Sequence, residues 1–367
     1  MLSAVMRHAV LLAPLAIIAC STRTPTQTSS RPSPAGTSSA GALDPNVASE
    51  VAHDAEVPRP RDPRERLVFT RAGSIWMMRP DGSDANQLTV RALDAPDEHP
   101  AFAPQGDAVA YATRHRKANR IAVLPLADLV PRLVTDGGGA AGDGQPAWSP
   151  DGRRIAFMRG DPRVRVDLYI VDVPASGAGD AGAAAAAEPR ALTPVLLVRG
   201  DDDAPERVGG PAFTRDGSAI VFSADRREGK GTGLWRCDLA TSSLARLSPV
   251  PRHAGHLADL DPTFAPDGSR IAFVSNRHVA SADRDDFDVY VMSLDGSGLT
   301  RLTDDPGSVR EPAYSPDGQR IFFASTRDRR GAYEWELYVM ASSGGRVRRL
   351  TRDERPQNRA PSAGLAK

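Results

Sequence analysis

The stretch "PAWSPDGRRIAF" (Pro146–Phe157) decides the fold, because closely related segments recur along the chain. Successive starts of the related stretches lie 46, 65, 51 and 50 residues apart. Self-similarity at such a period indicates a repeat architecture, and its length fits one blade of a β-propeller. The other copies are "PAFAPQGDAVAY" from Pro100, "PAFTRDGSAIVF" from Pro211, "PTFAPDGSRIAF" from Pro262 and "PAYSPDGQRIFF" from Pro312.

Each repeat predicts four short antiparallel strands. "PAWS" reads as the first strand, "SPDG" as a tight turn that uses Pro and Gly, and "RIAFMR" as the second strand. Apolar segments such as "DLYIVDV" and "DVYVMSL" supply the third strand, and short segments such as "RALT" and "TRLT" supply the fourth. Four antiparallel strands repeated around a ring make a β-propeller.

Several residues in the repeats invite a catalytic interpretation, but repetition favours a structural one. Ser149 and Asp151 recur in the same turn of other repeats, so we expect them to be turn residues. Cys237 takes the place of methionine or valine in other third strands, which predicts a core position. Arg277 and Arg327 are predicted to pair with Asp288 and Glu336, tying the second strand to the third at the surface.

The first blade lacks its own inner strand. Arg66 to Thr89, "RLVFTRAGSIWMMRPDGSDANQLT", supplies strands two to four, with no "PAWSPDG" before it. The end of the chain, "QNRAPSAG" after Thr351, is the candidate for the missing strand. We therefore predict an all-β, six-bladed propeller over residues 65–367, closed by its two ends.

Composition excludes broad classes of function. The 367 residues carry 46 basic and 46 acidic side chains, which disfavours a general nucleic-acid binder because such proteins usually carry a net positive charge. The two cysteines, Cys20 and Cys237, provide no disulfide framework.

The N-terminus predicts export. Arg7 and His8 precede the apolar run "AVLLAPLAIIAC", which suits a signal-peptide core and is short for a membrane span. The run ends at Cys20 in a pattern that resembles the bacterial lipobox, so residues 1–19 are predicted to be a lipoprotein signal peptide and Cys20 the lipidated residue. Ser21 then favours the outer membrane, by the sorting rule of enteric bacteria. Residues 20–64 are rich in Ser, Thr and Pro and predict a disordered tether.

The pattern "SPDG…IAF" followed by "D.Y.M" and "LT" resembles the repeat of the TolB-like propeller family, whose repeats are related to WD40. The resemblance covers about residues 65 to 360 and implies a protein of the periplasm or cell surface that binds other proteins. Similar repeats occur in the propellers of prolyl oligopeptidase-type peptidases and of some pectin-degrading lyases. The tether stands where TolB itself has an N-terminal α/β domain, which argues against a direct role in the Tol–Pal system.

Candidate binding residues follow from the predicted topology. The loops between second and third strands, and those between blades, are long and share one face of the disc, where binding sites usually lie. Residues just before each inner strand should surround the channel mouth on that face, where convergent polar groups make the default binding site. They are His99, Gln145, Gly210, Asp261 and Glu311.

Two loops add further candidates on the same face. Asp201, Asp202 and Asp203 lie in "VLLVRGDDDAPERVGG", and His253 and His256 lie in "RHAGH". His-x-x-His without a third ligand is a weak metal signal, so no metal and no other cofactor is predicted.

The leading hypothesis is a non-catalytic, lipid-anchored envelope protein that binds a protein or peptide and no nucleic acid. The sequence contains no G-x-S-x-G elbow and ends with the propeller, which disfavours a complete peptidase of the prolyl oligopeptidase type. The alternative is an enzyme at the channel mouth, a lyase or hydrolase acting on carbohydrate or peptide, with His99, His253 or His256 as base or metal ligand.

Overall fold

Six four-stranded antiparallel sheets form the blades of a propeller. The structure is a computed structural model that describes residues 55–91, 95–115, 118–135, 142–161, 165–173, 190–191, 208–224, 231–251, 257–279, 286–304, 307–328, 334–353 and 357–367. In these ranges the regular elements are strands, and no helix is long and apolar enough to cross a membrane. The predicted fold class is confirmed.

The blades are numbered 1 to 6 in chain order, and the strands of each blade run from the axis outward. The first strands of neighbouring blades contact one another in a closed cycle, which places them around the axis. From blade 1 to blade 6, these inner strands are β24 (Asn358–Leu365), β4 (Asp97–Phe102), β8 (Gly142–Trp148), β12 (Val208–Phe213), β16 (Asp259–Phe264) and β20 (Val309–Tyr314).

The remaining strands complete each blade in the same order. Second strands are β1 (Glu65–Arg71), β5 (Ala108–His115), β9 (Arg154–Asp161), β13 (Ala219–Ala224), β17 (Arg270–Ser275) and β21 (Arg320–Ser325). Third strands are β2 (Ser74–Met78), β6 (Ala118–Pro125), β10 (Arg165–Asp172), β14 (Gly233–Asp238), β18 (Asp288–Ser293) and β22 (Glu336–Ala341). Fourth strands are β3 (Asn86–Gln87), β7 (Arg132–Leu133), β11 (Arg190–Ala191), β15 (Leu244–Arg246), β19 (Thr300–Arg301) and β23 (Arg348–Arg349).

The core lies between blades rather than within one centre. Side chains alternate across a strand, so successive residues of a second strand face opposite neighbours. Ile271 and Phe273 pack with blade 4, whereas Ala272 and Val274 pack with blade 6, and all four are fully buried. Cys237 is buried between blades 3 and 4, which confirms its predicted core position.

The "SPDG" turns hold their shape through local hydrogen bonds. Ser149 Oγ donates to Asp151 Oδ1 at 2.5 Å and accepts the backbone N–H of Arg154 at 2.9 Å. Gly152 has φ of 68°, a conformation in which a side chain is strained. These contacts confirm that Ser149 and Asp151 are turn residues.

The predicted ion pairs between second and third strands were wrong. Arg277 binds both oxygens of Asp259, at 2.7 and 2.8 Å, because Asp259 stands opposite Ser275 in the adjacent inner strand. Asp288 is held instead by Arg301 from the outer strand, at 2.5 Å. These groups are largely buried, so they belong to the interior of the blade rather than to its surface.

Glu336 in blade 6 repeats this arrangement and likewise lacks the predicted pair with Arg327. Its carboxylate accepts hydrogen bonds from Arg349 Nη2 at 2.5 Å and from the Thr351 hydroxyl. Third-strand carboxylates in blades 5 and 6 therefore pair with an arginine of the outer strand.

The ring closes where the two ends of the propeller meet in blade 1. β24 pairs with β1 from Glu65 opposite Leu365 to Arg71 opposite Asn358, which confirms the closure predicted from the sequence. A buried ion pair joins the same region to blade 6, with Arg320 Nη2 at 2.6 Å from Glu65 Oε2. Closure thus combines strand pairing with a charge pair that is hidden from solvent.

Deleting residues 357–367 should lower the melting temperature by more than about 10 °C, because loss of an inner strand exposes the apolar faces of two blades. Differential scanning calorimetry measures the effect. Removal of Lys367 alone is the control, since it breaks an exposed pair with Asp107 and should cost about 1 °C or less. An unchanged melt after the longer deletion would contradict closure by β24.

Candidate functional site

Every inner strand carries the same irregularity at its midpoint. Between Glu98 and Ala101 the pairing with the second strand shifts by one residue, and equivalent shifts occur in the other five blades. Such a β-bulge inserts one extra residue and bends the strand. The sequence positions just before the inner-strand prolines are therefore bulge residues within the strand, rather than loop residues ahead of it.

The six bulge residues share a left-handed backbone conformation, and we call them the crown. Their φ angles lie between 50° and 55°, and a proline follows each of them. Residues other than Gly, Asn and Asp adopt this backbone conformation at a cost in free energy, so the bulge must impose it. The crown comprises His99, Gln145, Gly210, Asp261, Glu311 and Ala360.

Crown side chains bind the backbone of the next blade. Gln145 Oε1 accepts the N–H of Gly210 at 3.0 Å, and Asp261 Oδ2 accepts the N–H of Glu311 at 3.2 Å. Glu311 Oε2 accepts the N–H of Ala360 at 2.7 Å. These bonds fix the side chains relative to one another, so the mouth of the channel is preorganised.

Gly210 shows why one crown position carries no side chain. A Cβ on Gly210 would lie 2.9 Å from Asp261 Cα and 3.1 Å from the Pro262 ring. The backbones of blades 4 and 5 therefore leave no room for a side chain at this position. The ionisable crown residues lie on one side of the ring, in blades 5, 6 and 2: Asp261, Glu311 and His99.

An acidic cluster with a histidine dominates that side. Glu311 Oε1 is 3.0 Å from Arg359 Nη2 and 3.9 Å from His99 Nε2, which reaches it across blade 1. Burial, followed by the negative charge of Glu311, raises the pKa of the Asp261 carboxyl above its ordinary value. His99 remains one-third exposed and Glu311 is 14% exposed, so the imidazole is the most accessible group of this pair.

This arrangement presents hydrogen-bond acceptors to an incoming group. Carboxylate oxygens of Asp261 and Glu311 and the amide of Gln145 suit N–H donors such as peptide groups, lysine or arginine. Arg359 adds a cation whose guanidinium also lies over the Trp335 ring at 5.0 Å. A mixed set of this kind orients a polar ligand rather than attracting one simple charged polymer.

His99, Gln145, Asp261 and Glu311 all lie in the crown, where Glu311 contacts Asp261 and His99, and Gln145 contacts Gly210. That these residues bind a partner stays a prediction. Asp201, Asp202, Asp203, His253 and His256 lie outside the described residues, as does Cys20. Sequence reasoning missed Arg359 and Ala360, the contribution of blade 1. The signal was the "RAP" of the C-terminal segment, where Ala360 precedes Pro361 as the other crown residues precede their prolines.

Comparisons with known proteins agree with this architecture. Residues 260–364 match the family model described as the TolB beta propeller domain. TolB from Acinetobacter baumannii superposes with a TM-score of 0.62 at 20% identity, over 82% of this chain and 67% of that one. A putative TolB from Agrobacterium tumefaciens gives 0.56 at 19% identity, over 78% and 88%. The chain carries a TolB-like six-bladed propeller, and at these identities the likeness extends to the fold alone.

Other proteins of similar fold or sequence include one described as an enzyme and one that is uncharacterized. A puromycin-hydrolyzing peptidase of Mycobacterium tuberculosis has a TM-score of 0.51 at 17% identity, over 78% of this chain and 42% of that one. An uncharacterized protein of Agrobacterium fabrum is 29% identical over 189 residues, which are 50% of this chain and 53% of its own. The chain thus spans about half the length of that curated relative. Function has to be argued from the crown itself.

Asp261→Asn should stabilise the protein at neutral pH. A raised carboxyl pKa means that the folded state holds its proton to higher pH than the unfolded chain does. The stability of the protein therefore falls as pH rises through the interval between the ordinary and the raised pKa. In acid Asp261 is protonated in both states, and this destabilisation disappears. We expect a gain in melting temperature of about 2–4 °C at pH 7.5 and little change at pH 3.5.

Asp267→Asn is the matched control for that experiment. Asp267 lies in a turn on the opposite face, where the N–H and hydroxyl of Ser269 lower the pKa of its carboxyl. Its ionised form is favoured by folding, so the substitution should lower the melting temperature at pH 7.5. A loss of stability in Asp261→Asn at pH 7.5, or a gain independent of pH, would contradict the electrostatic strain assigned to Asp261.

Proposed function

We propose that the propeller is a non-catalytic binding module of the bacterial cell envelope, and that it holds a protein or peptide partner through the crown and the long-loop face around it. The N-terminal sequence supports the location, because its apolar run and Cys20 have the pattern of a lipoprotein signal. A TolB-like fold agrees with such a role. Residues 20–64 would then act as the tether between an outer-membrane lipid anchor and the propeller.

One observation carries the proposal. The same bulge forms in blades that carry Gln145, Gly210 or Ala360 at the crown position, so the fold does not require a carboxylate there. Blades 5 and 6 nevertheless place Asp261 beside Glu311, and burial followed by the charge of Glu311 disfavours ionisation of Asp261. An arrangement that opposes stability, at a preorganised and accessible mouth, is typical of a site kept for binding.

The chemistry of the crown defines the kind of partner. Acceptors on Asp261, Glu311 and Gln145 would receive N–H donors from a peptide backbone or from basic side chains, and the Arg359–Trp335 pair offers an anchor for an aromatic or acidic group. Asp201, Asp202, Asp203, His253 and His256 belong to the same proposed face by topology, and would extend the contact beyond the mouth.

Capture of partners from crosslinked cell envelopes tests the proposal. The variant is Asp261→Asn with Glu311→Gln, which keeps the oxygen acceptors of the interblade hydrogen bonds and removes two negative charges. The matched control is Asp216→Asn with Asp267→Asn, which removes the same charge from two turns on the opposite face. We expect partners recovered with the wild type and the control to be reduced at least about 10-fold with the crown variant.

Equal capture by the crown variant and the control would overturn the crown as the binding site. If no partner were recovered with any form, a screen for cleavage of glycans and peptides by the purified protein would follow. Cleavage lost in His99→Ala would replace the binding module with an enzyme at the channel mouth.

A further inference from the structure

A second cluster of ligating side chains lies in blade 5, away from the crown. His278 follows the second strand, Asp286 precedes the third strand, and Asp288 is the first residue of that third strand. One potential ligand atom from each residue lies within 4.8 Å of the others. His278 Nε2 is 3.3 Å from Asp288 Oδ2 and 4.0 Å from Asp286 Oδ2.

The imidazole of His278 is oriented toward the two carboxylates. Its Nδ1 lies 3.3 Å from the Tyr290 hydroxyl, and its ring stacks on the Tyr290 ring. Nε2 is buried and has no hydrogen-bond partner. With the proton on Nδ1, the ring N–H donates a hydrogen bond to the Tyr290 hydroxyl oxygen, and the Nε2 lone pair faces Asp286 and Asp288. Histidines that bind metals are commonly held in this way through their second nitrogen.

In blade 6, the side chain at the equivalent position is hydrogen-bonded by other side chains of the protein. There Asp328 stands in the place of His278 and accepts the Tyr338 hydroxyl at 2.9 Å. Arg349 bridges Asp328 and Glu336, at 3.5 and 2.5 Å. Tyr290 and Tyr338 occupy equivalent registers opposite Arg301 and Arg349. Blade 5 therefore departs from the repeat by placing there an imidazole nitrogen that no hydrogen bond satisfies.

Carboxylates outnumber guanidinium groups beside His278. Asp286, Asp288 and Asp304 contribute three carboxylates, and Arg301 contributes one guanidinium, 2.5 Å from Asp288 and 2.7 Å from Asp304. A metal at Asp288 Oδ2 would displace Arg301 from that atom, while Arg301 keeps Asp304 and Thr303 keeps Asp288 Oδ1.

We propose that His278 Nε2, an Asp286 oxygen and Asp288 Oδ2 bind a divalent transition-metal ion, with Zn²⁺ as the best match. One imidazole and two carboxylates form a mixed nitrogen and oxygen set, which Zn²⁺ accepts in tetrahedral geometry with ligand distances of about 2.0–2.2 Å. Ligand atoms of such a site stand about 3.4 Å apart. His278 and Asp288 already meet that spacing, and Asp286, which is one-third exposed, has only to move slightly.

Titration of the full chain with Zn²⁺ tests the site. The protein carries no polyhistidine tag and is treated with a chelator and dialysed, after which isothermal titration calorimetry measures affinity and elemental analysis measures the metal retained. We expect one Zn²⁺ per chain at this site and a melting temperature that rises with Zn²⁺ concentration. Asp286→Asn and His278→Gln should each weaken binding at least about 10-fold.

Asp328→Asn is the control, because it removes a carboxylate from the place in blade 6 that corresponds to His278, and it should bind Zn²⁺ as the wild type does. Asp286 is on the rim of the site, so its variant tests the proposal even if His278→Gln melts differently. The site would be excluded by a wild type that binds no Zn²⁺, or by equal affinity in the wild type and Asp286→Asn.

Discussion

The structure depends on the packing of each blade against its two neighbours. Both faces of a blade are apolar, as the full burial of Ile271, Ala272, Phe273 and Val274 illustrates, and only adjacent blades cover them. An open row of blades would expose the faces at its ends. The pairing of β24 with β1 removes those ends, and the buried pair of Arg320 with Glu65 lies where the last blade meets the first. Stability is therefore a property of the closed ring.

In the closed ring, the blades share one backbone conformation at the crown and differ in the side chains that they carry there. Each inner strand gains one residue at the bulge and turns it into the left-handed conformation, whichever side chain it carries. The backbone of the mouth is thus common to all six blades, whereas its chemistry is set blade by blade. Asp261 and Glu311 make one side of the mouth acidic, and Gly210 and Ala360 leave other parts of it bare. A rigid scaffold with exchangeable side chains at one opening is well suited to recognising a partner.

The sequence predicted the fold in detail because the repeats show which residues the strands and turns of a blade require. The apolar run "IAF", the proline of the inner strand and the glycine of the "SPDG" turn each reflect a local requirement of the fold. The C-terminal strand was found through its partial match to the repeat. The ion pairs failed because spacing along the chain does not show which strand a carboxylate faces: Asp259, rather than Asp288, stands within reach of Arg277.

The candidate site was predictable only in part. The positions of His99, Gln145, Asp261 and Glu311 follow from the repeat, but their left-handed conformation and interblade hydrogen bonds require coordinates. Arg359 was missed because the C-terminal segment shares few residues with the other repeats. The cluster of His278, Asp286 and Asp288 was missed because the three residues meet only when the second and third strands of blade 5 pair.

The most direct test of binding at the crown is site-specific photocrosslinking in living cells. A photoreactive amino acid at Gln145, in the crown, is compared with one at Ser297, an exposed turn residue on the opposite face. Binding through the mouth predicts a discrete crosslinked product from position 145 and none from position 297. Products from position 297 alone, or the same products from both positions, would contradict a binding site at the crown.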